Sequence, residues 1–284
     1  MKHRINSLLL VIVLIFGINR SYGQESTSLL WEISGKGLAK PSYLYGTIHM
    51  LCPEDFEIKE KTKRAFERST KLVLEINFSD TAELKALQRS AVGDKKISEQ
   101  LTAEQLNKLE LILKENQMTL AQVDQFSGMT LMSLLIMKSL PCPQQKYYEF
   151  EFMRMAKQAG HSMGGLETVN EQIGAMNQSF SLTDIIVQYG NIAEYRSFFN
   201  KMVAAYKAES YVAIGEMVRD RRYMTAQAEQ LMLTDRNHQW IERMPVMMQR
   251  ESVFFAVGAG HLGGPEGVIN LLKKEGYTVK PVNQ

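Results

Sequence analysis

Two histidines in this chain each stand three residues after a glycine, and each glycine closes an apolar run. "YLYGTIHML" carries Gly46 and His49; "VFFAVGAGHLGG" carries Gly258 and His261, which lies 212 residues after His49. Imidazole titrates near neutrality, works as acid or base, and binds divalent metals. A strand-ending glycine permits φ > 0 and a sharp turn without a Cβ clash. Each histidine is then expected to point back over its strand edge, so that two such strands bring the rings together. Glu75, inside the apolar run "LVLEINF", is the third group. A carboxylate there needs a partner, because burying it unpaired is costly; a salt bridge to a helix is the plainer alternative. Two histidines and a carboxylate form a usual ligand set for a catalytic divalent metal with an open position, here Mn, Co or Zn. The same groups also serve as base and orienter without metal, with His49 as the base.

Two further clusters lie in plausible support positions. Glu167, in "GGLET", follows a glycine pair and a leucine, the context of another strand end. Arg236 and Asn237, in "TDRNHQW", fall on or beside a late helix. An arginine suits an anionic group or an oxyanion, and a solvated helix face is its alternative. His161 and His238 lack a comparable context and read as surface or structural residues.

The elements that must position these groups fall into three zones. Over residues 28–78 the pattern is strand, strand, helix, strand: "LLWEISG", "SYLYGT", "EIKEKTKRAFERS" and "KLVLEINF". Residues from about 80 to 250 carry apolar residues at helical spacing, with "HSMGGLET" as a short interruption that suits one strand. The chain ends with strand, helix and strand in "SVFFAVGAG", "PEGVINLLKKEG" and "YTVKPV". The expected fold is α/β (α+β): a central, mostly parallel sheet built from the two ends, with a large helical insertion between them. In such sheets functional groups gather at the carboxyl ends of the strands. The 17 methionines read as core filling rather than as a binding face.

Residues 1–23 carry a basic start (Lys2, His3, Arg4), an apolar run from Leu8 to Phe16 and the small residues Ser21 and Gly23. This is the pattern of a secretory signal peptide, with an uncleaved anchor as the alternative, and it leaves residues 24–284 as one domain. Export, to the periplasm or beyond, favours a disulfide between the only cysteines, Cys52 and Cys142, although spacing alone does not bring them together. Without Lys2, Arg4 and Arg20 the 33 basic residues fall by three, against 31 acidic ones. A nearly neutral chain with no basic-aromatic stripe gives no footprint for nucleic acid. "GAGHLGG" matches G-x-G-x-x-G, yet it lies too near the C-terminus for a βαβαβ half to follow, and no acid stands about 20 residues on. No nucleotide cofactor is expected. G-x-S-x-G, H-E-x-x-H and Walker loops are missing. A peptide or small molecule is the expected substrate, and no feature specifies an oligomeric state.

With "LYGTIHM", "LVLEINF", "YYEFEFMRMAKQAG", "GGLETVNEQ", "LTDRN" and "FFAVGAGHLGGPEGVINLLKKEGYTVKPV" in this order, the chain resembles the TraB/GumN family. That family is related to the TraB/PrgY pheromone-shutdown proteins and to the animal Tiki proteases. The resemblance covers about residues 28–282. It implies the same two-ended sheet, and divalent-metal-dependent peptide hydrolysis centred on His49, Glu75 and His261, with Glu167, Arg236 and Asn237 in support. The family also looks similar to erythromycin-esterase-like enzymes, in which a like histidine acts as base without metal; binding and sequestering a peptide or small ligand without catalysis is the other alternative. One departure is Glu149, where relatives commonly carry Asp, so no close role is expected at that position.

Overall fold

The computed structural model describes residues 28–283; the leader read over residues 1–23 lies outside them. Among the described residues eight strands form: β1 Leu30–Ser34, β2 Ser42–Thr47, β3 Met50–Leu51, β4 Lys71–Ile76, β5 Lys146–Tyr147, β6 Ser162–Glu167, β7 Val253–Gly258 and β8 Thr278–Pro281. Six of them make one sheet in the order β6-β4-β7-β2-β1-β8, and β3 pairs with β5 in a separate ribbon. β6, β4, β7 and β2 are mutually parallel neighbours, while β1 runs antiparallel to both β2 and β8. The fold is therefore mixed α/β, with a mostly parallel six-stranded sheet and helices around it.

The parallel strands explain their own sequences. Every residue of β2, and Val253–Val257 in β7, is buried, as expected of strands covered on both faces, which carry near-continuous apolar runs. Phe254 of β7 packs against Phe66 from the helix Glu60–Glu67 at 5.3 Å between ring centres, and against Phe152 from the helix Tyr148–Ala159 at 5.1 Å. Burial of each such ring is worth roughly 1.5–3 kcal/mol. The short strand read in "HSMGGLET" is β6, the edge of the main sheet beside β4, so the helical middle also contributes a strand.

Register places four chain positions side by side at the carboxyl end of the sheet. Ile76 pairs with Glu167, Gly46 with Val257, and Thr47 with Gly258. Glu75, Glu167, Gly258 and Gly46 thus lie near the ends of four adjacent strands. The helix Val169–Ser179 starts immediately after Glu167, because Thr168 caps it through a reciprocal capping box with Glu171. That start puts Gln172 within one turn of the strand end. On the other side, a π-helical turn over Gln230–Thr234 runs directly into the helix Asp235–Met248, whose second and third residues are Arg236 and Asn237. π-turns occur frequently at functional sites.

Candidate active site

Arg236 is the hub of the buried part of the site. It is 5% exposed, and all five of its N–H donors are committed. Nε donates to the Glu167 carboxylate at 3.0 and 3.1 Å, and Nη2 donates to Glu75 Oε2 at 2.5 Å and to Glu167 Oε1 at 2.6 Å. Nη1 donates to the Met232 carbonyl in the π-turn at 2.9 Å and to His261 Nε2 at 3.2 Å. In this arrangement every donor of Arg236 already has a partner, and three of the five are held by the two carboxylates. The Gln172 amide links the same pair, donating to Glu75 Oε2 at 3.0 Å and to Glu167 Oε1 at 2.9 Å. Glu75 Oε1 accepts the Gly258 N–H at 2.7 Å, and the Trp240 indole donates to Glu167 at 3.3 Å.

His261 is held from behind. The Asn237 amide donates to the Glu266 carbonyl at 2.8 Å, which fixes its oxygen toward the ring, and His261 Nδ1–H donates to that oxygen at 2.6 Å. Nε2 therefore carries the lone pair and accepts from Arg236. Burial lowers the pKa of His261, the Arg236 charge lowers it further, and Glu75 only partly opposes them; the value falls to about 3. The imidazole is neutral at pH 7. Burial alone would raise Glu75, but Arg236, His261, His49 and the Gly258 hydrogen bond hold it well below the usual carboxylate range.

His49 is placed differently. Its side chain is 62% exposed, and its Nδ1–H donates to Glu149 Oε1 at 2.9 Å. Thr47 donates to the same oxygen at 3.4 Å. Desolvation disfavours the proton, but the Glu149 hydrogen bond and charge, with Glu75 adding, outweigh it and raise the pKa to about 9. Glu149 is the residue that sequence reasoning set aside; it lies in the first turn of the Tyr148–Ala159 helix. The connection between the two is short. β3 begins one residue after His49, β5 ends two residues before Glu149, and Met50 pairs with Tyr147 and Leu51 with Lys146. A disulfide joins Cys52 to Cys142 beside this ribbon.

The two halves meet in front of Gly258. A Cβ on that glycine would lie 3.3 Å from Glu75 Oε1, 3.5 Å from His49 Nε2 and 3.6 Å from His261 Cδ2. This corrects the expected reason for the glycine: its φ is −54°, an ordinary value, and what the position requires is space. Gly46 is also outside the left-handed region. There a Cβ would clash with Leu262 Cδ1 at 2.6 Å and crowd Ala259 at 3.1 Å, so β2 needs glycine to pack against the turn that carries His261.

His49, Glu75 and His261 thus converge, but as arranged they do not fit a three-donor metal site. Only His49 Nε2, once deprotonated, and the remaining lone pair of Glu75 Oε1 are without a partner near the common point. Glu75 Oε2 is filled by Arg236 and Gln172, and the His261 lone pair by Arg236. Among the described residues no three His, Cys, Asp or Glu side chains are grouped to hold a metal. The sequence offered no direct signal for Gln172 beyond its place in "GGLETVNEQ". His238, read as a surface residue, is exposed and bonds Glu266 at 2.7 Å.

A cleft of about 450 Å³ opens beside His49, Glu75, Glu149 and Arg236. An oriented histidine thus faces a cleft, next to two carboxylates fixed by one arginine at the ends of parallel strands, where functional groups of such sheets gather. The chain belongs to the TraB/PrgY/gumN family, whose profile matches residues 29–281. It is 22% identical to "Metalloprotease TIKI2" of Danio rerio, over 90% of this chain and 61% of that protein, and 25% identical to "Metalloprotease TIKI1" of the same organism, over 90% and 63%. The chain thus spans about three fifths of the length of these curated relatives. No solved structure matches it. Among the described residues no helix is long and apolar enough to cross a membrane.

Proposed function

We propose that this protein is an exported hydrolase of acyl bonds, a peptidase by first preference, in which His49 handles the proton of the attacking water. The observation that carries this reading is the Glu149–His49 pair, with Nδ1–H held and Nε2 turned toward Glu75 at the mouth of the cleft. Water attacks the carbonyl carbon as its proton passes to His49 Nε2, and the same proton then goes to the leaving amine. Glu149 orients the ring and stabilises the imidazolium that forms, as the acid of a catalytic triad does. Arg236 keeps Glu75 charged, and Arg236 and Gln172 hold it fixed beside the reacting atoms. The names of both relatives support peptide hydrolysis. The Cys52–Cys142 disulfide supports export, since such bonds persist in oxidising compartments.

A second reading is a divalent-metal hydrolase using Mn, Co or Zn. It is favoured by the convergence of His49 Nε2 and Glu75 Oε1 on one point and by the word metalloprotease in both relatives' names. One experiment separates the readings: a panel of fluorogenic peptides and esters, with wild-type protein before and after EDTA, beside His49→Ala. Turnover that survives EDTA and disappears in His49→Ala supports the metal-free hydrolase. Turnover lost on EDTA and restored by one of the three ions selects the metal reading. Turnover unchanged in His49→Ala, with melting temperature also unchanged, overturns both.

A further inference from the structure

Five methionines line the cleft that His49 faces: Met50, Met129, Met132, Met176 and Met232. They come from four separate elements, namely β3, the helix Gly128–Ser139, the helix Val169–Ser179 and the π-turn. None of the five is fully buried. This differs from the core filling expected from composition: residues that only fill a core do not gather half-buried around one opening. Phe78, Phe150 and four aliphatic side chains complete the wall, and Phe150 is 59% exposed. Apart from Ser133 and Tyr147, the polar side chains of the lining are His49, Glu75, Glu149, Gln172 and Arg236, which are already bonded within the site. The cleft therefore has one chemically active cluster and an otherwise apolar, deformable wall. Its volume lies in the range of about 300–1,000 Å³ typical of pockets that enclose a ligand.

We infer that this wall is a subsite for a large apolar side chain adjacent to the scissile bond, and that the preferred substrate is a peptide with such a residue there. The inference rests on the hydrolase reading for the word scissile, while the binding preference stands on the wall itself. Methionine is unbranched and polarizable, and it repacks around partners of different shape. The subsite should accordingly separate apolar from polar residues strongly and distinguish poorly among Leu, Met and Phe. Burying one such side chain corresponds to about tenfold to hundredfold in affinity.

The test uses the full mature chain carrying His49→Ala, so that bound peptide is not consumed. The probes are two fluorescein-labelled hexapeptides, identical except for a central Leu-Met-Phe or Ser-Asn-Gln, and Kd is read by anisotropy. The apolar probe is expected to bind at least about tenfold more tightly. Adding Met132→Glu should erase that preference. Phe150→Glu should do the same, and because Phe150 is already exposed this change leaves folding intact. Val187→Glu, at a 75% exposed position away from the cleft, should change nothing. Equal affinities, no binding of either probe, or a preference that survives both wall variants overturns the subsite. The hydrolase reading fails separately: an apolar peptide that is bound by His49→Ala protein but left intact by wild type removes the chemistry and keeps the subsite.

Discussion

The site has two halves that are held in opposite ways. Glu75, Glu167, Arg236, Asn237 and His261 are all at most 9% exposed, and they are bonded to one another and to backbone at the ends of the sheet strands. His49 is largely exposed, and Glu149 stands at the start of a helix. Their contact depends on a two-residue ribbon and one disulfide. The buried half fixes charge within the core, whereas the histidine of the proposed chemistry stands exposed on a segment stapled by the ribbon and the disulfide. If that division is right, damage to the buried half should cost stability first, and damage to the stapled half should cost activity first.

The largest effect is expected from Arg236→Met. It leaves Glu75 and Glu167 buried without their shared cation, and removing one partner from a buried ion network costs about 3–5 kcal/mol. Urea unfolding should show that loss, together with loss of turnover. Arg236→Lys should recover little, since an ammonium has three donors where five are used. A variant Arg236→Met within about 1 kcal/mol of wild type would sink the account of the buried half.

The staple comes next. Replacing Cys52 and Cys142 by alanine opens a 90-residue separation and should cost about 2–5 kcal/mol. The sharper expectation is local. Under reductant, at temperatures well below unfolding, turnover should fall while far-ultraviolet circular dichroism stays constant. Parallel loss of both signals would mean that the staple serves the whole fold and not the His49–Glu149 contact.

The sequence reading reached the buried half more fully than the stapled one, for a physical reason. Apolar runs that end in glycine and a charged residue inside an apolar run are local patterns, and they located β2, β4, β7, Gly46, His49, Glu75, Gly258 and His261 within the correct fold class. What the groups do to one another is not local. That Arg236 fills the lone pairs a metal would need depends on a helix starting after a π-turn, far along the chain from Glu75. The glycines were read as turn formers, whereas both serve close approach between neighbouring segments. Glu149 was passed over because it stands where relatives commonly carry Asp, and the longer acid argued against a close role. Only the β3–β5 pairing brings it to a histidine 100 residues away.

Acid should expose the same contrast. His261 has an ordinary pKa of 6.5 and a folded value of about 3, so between these values the unfolded chain binds a proton that the folded chain refuses. Stability therefore falls as pH falls below about 6.5, by roughly 2 kcal/mol between pH 7.5 and 5. Glu75, also depressed, adds a further loss as pH falls below its ordinary value of 4.5. His49 has the opposite sign: its raised pKa favours folding below 6.5, and that support is lost as pH rises toward about 9, with solvent screening keeping it small. Melting curves from pH 8 to 4 should show the acid loss, and His261→Gln should flatten its upper part. A flat wild-type profile from pH 7.5 to 5 would mean that His261 is not held neutral.

The smallest expected effect on stability, and the most informative on chemistry, belongs to Glu149→Gln. The partner ring is mostly solvent-exposed, so the pair should contribute less than about 1 kcal/mol to folding. Catalysis should respond in two ways. A base works only when deprotonated, so in wild type the activity should climb with pH toward about 9. Removing the carboxylate lowers the His49 pKa, so the climb should move to lower pH while its plateau drops, because the neutral amide no longer stabilises the imidazolium. Glu149→Asp keeps the charge on a shorter arm and should hold the pH limb in place while losing orientation. If the limb stays fixed in Glu149→Gln, the titrating group is not His49, and the chemistry belongs to the buried half after all.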